Sequence, residues 1–102
     1  MSERKVLVVS LWLRAGVAAA ALEAFERRVA KIQARHGGRI ERAIRTGDAS
    51  ASAPFEVHVV SFPDDASLAA YRADPEIRAL AELRASLIAR TEIVEGVDVP
   101  VY

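Results

Sequence analysis

Cysteine is absent from the 102-residue chain, which excludes disulfides, thiolate metal sites and cysteine nucleophiles together. Net charge is absent as well: 14 Lys and Arg balance 14 Asp and Glu. Nucleic-acid binding needs clustered, uncompensated basic groups, so no such partner is expected. No run of like charges suggests a tail. No apolar stretch approaches the roughly 20 residues of a membrane-spanning helix, so no membrane partner is expected either. The segment Ser2-Glu3-Arg4-Lys5 leads into Val-Leu alternation without a small-residue cleavage site and reads as mature chain. Histidines number two, His36 and His58, with no HxH or HxxxH spacing, which disfavours a metal site. There is no glycine-rich phosphate loop and no Ser-His-Asp ordering at a strand-to-helix turn. No cofactor is therefore expected, and the reading is a cytoplasmic protein of one domain, residues 1–102.

What the chain does have is apolar residues, at 52% enough for a packed core. The run Lys5-Val6-Leu7-Val8-Val9-Ser10-Leu11-Trp12-Leu13 is apolar in both alternating phases. A half-buried strand alternates, whereas a strand covered on both faces is apolar throughout. Two helices can cover one face of a small sheet. The other face needs a ligand or a second subunit, which points to a homodimer formed through the sheet face.

After a break at Arg14-Ala15-Gly16, Leu22, Phe25, Val29 and Ile32 recur at helical spacing, with Glu23 four residues before Arg27. Lys31, Arg35 and His36 suit the helix C-terminus, and Gly37-Gly38 stops it with Gly37 as a left-handed cap. Arg39–Thr46 reads as a second strand, with Ile40 and Ile44 in one phase. A small, polar loop follows from Gly47 to Pro54, mobile by composition. Phe55–Phe62 is a third strand, Phe55, Val57 and Val59 facing one way and Glu56, His58, Val60 and Phe62 the other. Asp64 caps a short helix reaching about Ala73, and Asp74-Pro75-Glu76 starts a longer one predicted to run to about Ala89. Thr91–Val99 is the last strand, interrupted by Gly96 and ended by Pro100. The order β-α-β-β-α-β predicts an α+β, ferredoxin-like antiparallel sheet with helices on one face.

The segments His36-Gly37-Gly38-Arg39, Ser61-Phe62-Pro63-Asp64, Tyr71-Arg72-Ala73-Asp74-Pro75-Glu76-Ile77 and Ala81-Glu82-Leu83-Arg84 carry a likeness over nearly the whole chain. The sequence resembles a family of small bacterial dimeric α/β-barrel proteins without an assigned activity. In that family a helix ending in His-Gly-Gly enters the second strand, followed by a Phe-Pro turn and a Tyr-x-x-(Ser/Asp)-Pro-Glu helix restart. Where the family commonly has Tyr, this chain has Ile77. The resemblance implies a homodimer whose two sheets pack into a barrel.

Several residues stand out as site candidates, each with a structural alternative. Arg84 falls within the apolar stripe Ile77, Leu80, Leu87 and Ile88. A guanidinium there is costly unless paired. It is either an anion clamp at a cavity mouth, or a structural partner of Glu56, Asp74 or Glu95, or a snorkelling stem. If Leu7, Val9 and Leu11 pack under the helices with Phe55, Val57 and Val59, then Ser10, Trp12, Glu56 and His58 look into the barrel. His58 is then a candidate general base with Trp12 as a stacking wall and Glu56 as its orienter. The alternative is an interface histidine, with Glu56 paired to Arg45 across the hairpin. Tyr71 near the helix break either reaches a cleft rim or covers the core with its hydroxyl in water.

Two classes of function follow. One is a homodimer binding a small organic molecule beside the sheet, extended by fold analogy to a cofactor-independent monooxygenase or an isomerase. The other is a non-catalytic structural or interaction dimer with a filled interior. A cavity of a few hundred cubic ångströms walled by Trp12, His58 or Arg84 favours the first.

Overall fold

The computed structural model describes residues 3–47, 50 and 52–102. The expected loop therefore falls partly on Asp48, Ala49 and Ala51, which lie outside the described residues, as do Met1 and Ser2. Strand β1 runs Lys5–Leu13, helix α1 Ala19–Arg35, β2 Arg39–Arg45, β3 Glu56–Phe62 and α2 Asp65–Ala73. Then come α3 Pro75–Ala79, α4 Ala81–Leu87 and β4 Ile88–Gly96. The four strands lie in the order β2-β3-β1-β4, and every pairing is antiparallel. The two most apolar strands, β1 and β3, sit in the centre. This is the ferredoxin-like plan.

The alternation of β1 decides what faces the helices. Leu7, Val9 and Leu11 point toward the helices, Leu11 buried with Leu22, Phe25, Val29 and Ile32, and Leu7 with Val60, Phe62 and Leu68. Full burial of such side chains stabilises by about 1.5–3 kcal/mol each. Helix α1 ends in a Schellman motif: Gly38 N–H donates to the Gln33 carbonyl (2.8 Å) and Gly37 N–H to that of Ala34 (3.1 Å). Gly37 has φ +76°, where a side chain is strained. A Cβ on Gly38 would stand 2.6 Å from the Phe62 ring. The His-Gly-Gly segment is thus shaped by the cap and by the approach of Phe62.

The helix restart is held from the same corner. Asp74 accepts from Glu76 N–H (2.8 Å) as an N-cap, and its other oxygen lies 2.8 Å from His36 Nε2. The His36 hydrogen bond holds the Asp74 carboxyl below the usual range, with the Glu76 N–H adding to it. Asp64 caps α2 by accepting from Ser67 N–H at 2.7 Å. No helix among the described residues is long and apolar enough to cross a membrane.

Three expectations are corrected. The last helix does not run from Pro75 to Ala89: Leu80, at φ −87° and ψ 0°, leaves the α-helical ladder and bonds to the Ile77 carbonyl. Its buried side chain plugs the core at that bend. β4 spans Ile88–Gly96 rather than Thr91–Val99, because Ile88 already pairs with Leu13. In β2 the register slips between Ile40 and Arg42, so Ile40 lies opposite Val60 and Ile44 opposite Val57, on different faces.

Candidate functional site

The register of β3 against β1 sets the site. Val9 lies opposite His58, Leu11 opposite Glu56 and Leu7 opposite Val60. Directly opposed residues share a face, so Glu56 and His58 lie under the helices with Val60 and Phe62. Val57 and Val59 lie on the other face with Val8 and Ser10. This reverses the expected phase of β3. The reason is volume: Val60 and Phe62 fill the core against Leu68 and Tyr71, and they carry His58 and Glu56 in with them.

Between sheet and helices lies a cavity of about 370 Å³. Its walls are mostly apolar, and its polar lining comes from Glu26 and Gln33 on α1, His58 on β3, Tyr71 and Arg72 on α2, Arg84 on α4 and Thr91 on β4. Of the residues singled out in the sequence, His58, Arg84 and Tyr71 meet here. Glu56 stands behind His58. Ser10 and Trp12 do not take part, because they project from the opposite face of β1. Trp12 is held there by Arg90, stacked 4.4 Å over its ring, and donates its indole N–H to the Ser50 carbonyl (3.1 Å).

His58 is buried, with Nε2 2.5 Å from Glu56 Oε2. Glu56 also receives Arg45, its cross-strand neighbour, at 2.7 Å, and Arg45 reaches Glu23 on α1 at 3.3 Å. Burial pushes the Glu56 carboxyl up, but hydrogen bonds from His58 and Arg45 outweigh it and hold it below the usual range. An ionised Glu56 only accepts, so the imidazole proton sits on Nε2. The other nitrogen, Nδ1, faces Glu26, 3.9 Å away. Burial raises the Glu26 carboxyl above its ordinary value; the charge of His58 opposes this, that of Glu56 adds to it, and that of Arg84 opposes it. The imidazole therefore stands between a carboxylate and a carboxyl that readily takes a proton.

Arg84 donates to the Thr91 hydroxyl, and no carboxylate among the described residues lies within ion-pair distance of it. None of the structural partners considered for it, Glu56, Asp74 and Glu95, is engaged: they pair with Arg45, His36 and Arg72 respectively. Tyr71 packs on Phe62 with ring centres 5.2 Å apart. Burial raises its pKa, while the Gln33 amide acts in the opposite sense. Tyr71 lines the cavity beside Gln33.

Glu26 and Gln33 were missed. Their signal is the spacing 22, 26, 29, 33, a second stripe of α1 beside Phe25 and Ile32. Among the described residues no group of three or more His, Asp or Glu side chains is placed to hold a metal.

No family model and no curated protein sequence matches the chain. Solved structures do. One is a protein of unknown function from Rhodopseudomonas palustris, 15% identical, covering 99% of this chain and 86% of its own, with a TM-score of 0.82. A dimeric ferredoxin-like protein of unknown function from Thermobifida fusca is 14% identical over 95% of this chain and 92% of its own, TM-score 0.69. SnoaB, a cofactor-independent oxygenase from Streptomyces nogalater, is 17% identical over 98% of this chain and 97% of its own, TM-score 0.74. The chain has the ferredoxin-like fold of these proteins, and the expected likeness to small proteins of this fold without assigned function stands.

Proposed function

We propose that the protein is a homodimer that binds a small organic anion in the cavity between its sheet and helices. The observation that carries this is Arg84, a guanidinium on the wall of a 370 Å³ apolar cavity with only a hydroxyl for a partner. A part-buried cation with no carboxylate at ion-pair distance is costly, and a carboxylate entering the cavity offsets that cost with charge-assisted hydrogen bonds. The volume falls within the usual range for small-molecule sites, about 300–1,000 Å³. It speaks against a filled, purely structural interior.

Dimerisation is supported by the face of the sheet turned away from the helices. Val8, Ile44 and Val94 are 40%, 41% and 66% exposed there, alongside Val57 and Val59. A contiguous apolar sheet surface of this kind marks an interface, and the Thermobifida fusca protein of the same fold is dimeric.

A second reading is an oxygenase or isomerase without cofactor. His58 favours it, since Glu56 holds Nε2 and leaves Nδ1, which faces Glu26, as the nitrogen for proton transfer with a cavity ligand. The SnoaB fold match adds analogy only.

Isothermal titration with naphthoate, on the wild type and on Arg84→Met, tests the binding reading. Micromolar-range binding is expected, falling at least about 10-fold in the variant. Equal affinities, or none for either protein, would reject it.

A further inference from the structure

We propose that the cavity takes up its organic anion together with one proton, and that Glu26 holds that proton. This rests on the binding reading above and adds the charge balance of the site.

The cavity brings Arg84 on α4 and Glu26 on α1 into one mostly apolar space. The other charged groups around Glu26 are already matched. Glu56 on β3 has Arg45 at 2.7 Å and the His58 N–H. Arg72 on α2 reaches the lining, but Glu95 holds it at 3.2 Å. Tyr71, also on α2, is neutral, since burial raises its pKa. Glu26 has no comparable partner. Among the described residues its one contact at ion-pair distance is His58 Nδ1, 3.9 Å away and too far for a hydrogen bond. With the ring proton on Nε2, that nitrogen carries no charge to offer. Arg84 is then the cation left to offset an ionised Glu26.

A ligand carboxylate on Arg84 takes that counter-charge and brings a like charge into the same space. Two carboxylates competing for one guanidinium away from water do not both stay ionised cheaply. The ligand holds Arg84 through direct, charge-assisted hydrogen bonds. Glu26 does not, and burial already raises its carboxyl, so it is the group that takes the proton. Once protonated, its O–H faces the Nδ1 lone pair of His58, an acceptor. The molecule taken up is thus a weak apolar acid, entering as a carboxylate and a proton. By linkage its affinity falls as pH rises.

The test is isothermal titration of naphthoate into wild type and Glu26→Gln from pH 6 to pH 8, where the naphthoate carboxyl stays ionised. Wild-type affinity is expected to fall about 10-fold over that range, and that of Glu26→Gln to change by about twofold or less. Runs at pH 7 in phosphate and in Tris, whose ionisation enthalpies differ, count the protons. Wild type is expected to take up about half a proton or more, and the variant close to none. Binding without proton uptake rejects the inference and leaves the binding reading standing. Uptake that persists in Glu26→Gln puts the proton on another group and overturns it equally. If naphthoate binds at no pH in the range, both fall. Should Glu26→Gln not fold, the carbon-13 signal of the Glu26 carboxyl in wild type decides. Its titration midpoint is expected about one pH unit or more higher with naphthoate bound, and an unchanged midpoint overturns the proposal.

Discussion

His58 Nε2 stands 2.5 Å from Glu56 Oε2, and Glu56 in turn receives Arg45 at 2.7 Å from the sheet edge. A chain of charge-assisted contacts therefore runs from the cavity wall to the surface. Its middle member is held ionised by the other two, with a consequence for stability. A carboxyl with a depressed folded pKa stabilises above its unfolded value and loses that contribution as pH falls through the folded one. Wild-type stability is expected to drop as pH falls below about 4.5. Glu56→Gln should cost about 1–2 kcal/mol at pH 7, less than a fully buried pair because Arg45 is partly exposed. The variant should also lose less than wild type on acidification. Urea unfolding at pH 7 and below 4.5 checks both.

Glu26 behaves in the opposite sense. Burial raises its carboxyl, so the folded state holds the proton more tightly than the unfolded chain. Its destabilising effect is absent below the unfolded value and grows as pH rises through the folded one. Glu26→Gln should therefore stabilise by about 0.5–1 kcal/mol at pH 7 and change little at pH 4. The same urea titrations read this out.

The two glycines after α1 are expected to respond differently from ordinary surface positions. Gly37→Ala puts a Cβ at φ +76° and 2.7 Å from the Pro63 ring. Gly38→Ala brings one to 2.6 Å from Phe62 and 2.9 Å from the Gln33 carbonyl. Each should cost about 1–3 kcal/mol. In thermal melts, an effect within about 0.5 kcal/mol at both sites would count against the cap as described.

The open sheet face supplies a further test. Val8 lies opposite Val59 and Val94 in its centre. Val8→Lys places an ammonium where the partner subunit is expected, and burying it unpaired costs several kcal/mol. Light scattering after size exclusion should show wild type as a dimer and the variant as a monomer. A monomeric wild type at high concentration would remove the dimer.

The architecture was readable because its punctuation is local. Gly37-Gly38, Asp64 and Asp74-Pro75 each act within a few residues, through caps and fixed φ. The phase of β3 was not, because polarity is a poor guide in a strand that carries apolar residues in both phases. Glu56 and His58 looked like the exposed phase, yet the helix-covered face of this sheet holds a cavity with polar walls, and the apolar Val57 and Val59 belong to its open face. The bulky Phe62, in the same phase as His58, was the better indicator. Arg84 was legible as a charge within an apolar stripe. Glu26 and Gln33 were not, since a polar residue on α1 marks the solvent side unless the cavity beneath it is known. Ser10 and Trp12 lie on the face of β1 expected for them, away from the helices; it is Glu56 and His58 that the register carries to the other side.

A ligand site between sheet and helices is most directly tested by methyl NMR during titration with naphthoate. The expected result is saturable shifts of the Val9, Val60 and Thr91 methyls, on the cavity side, with those of Val8, Val57 and Val59 nearly still. Shifts confined to Val8, Val57 and Val59, or no shifts at saturating ligand, would contradict it.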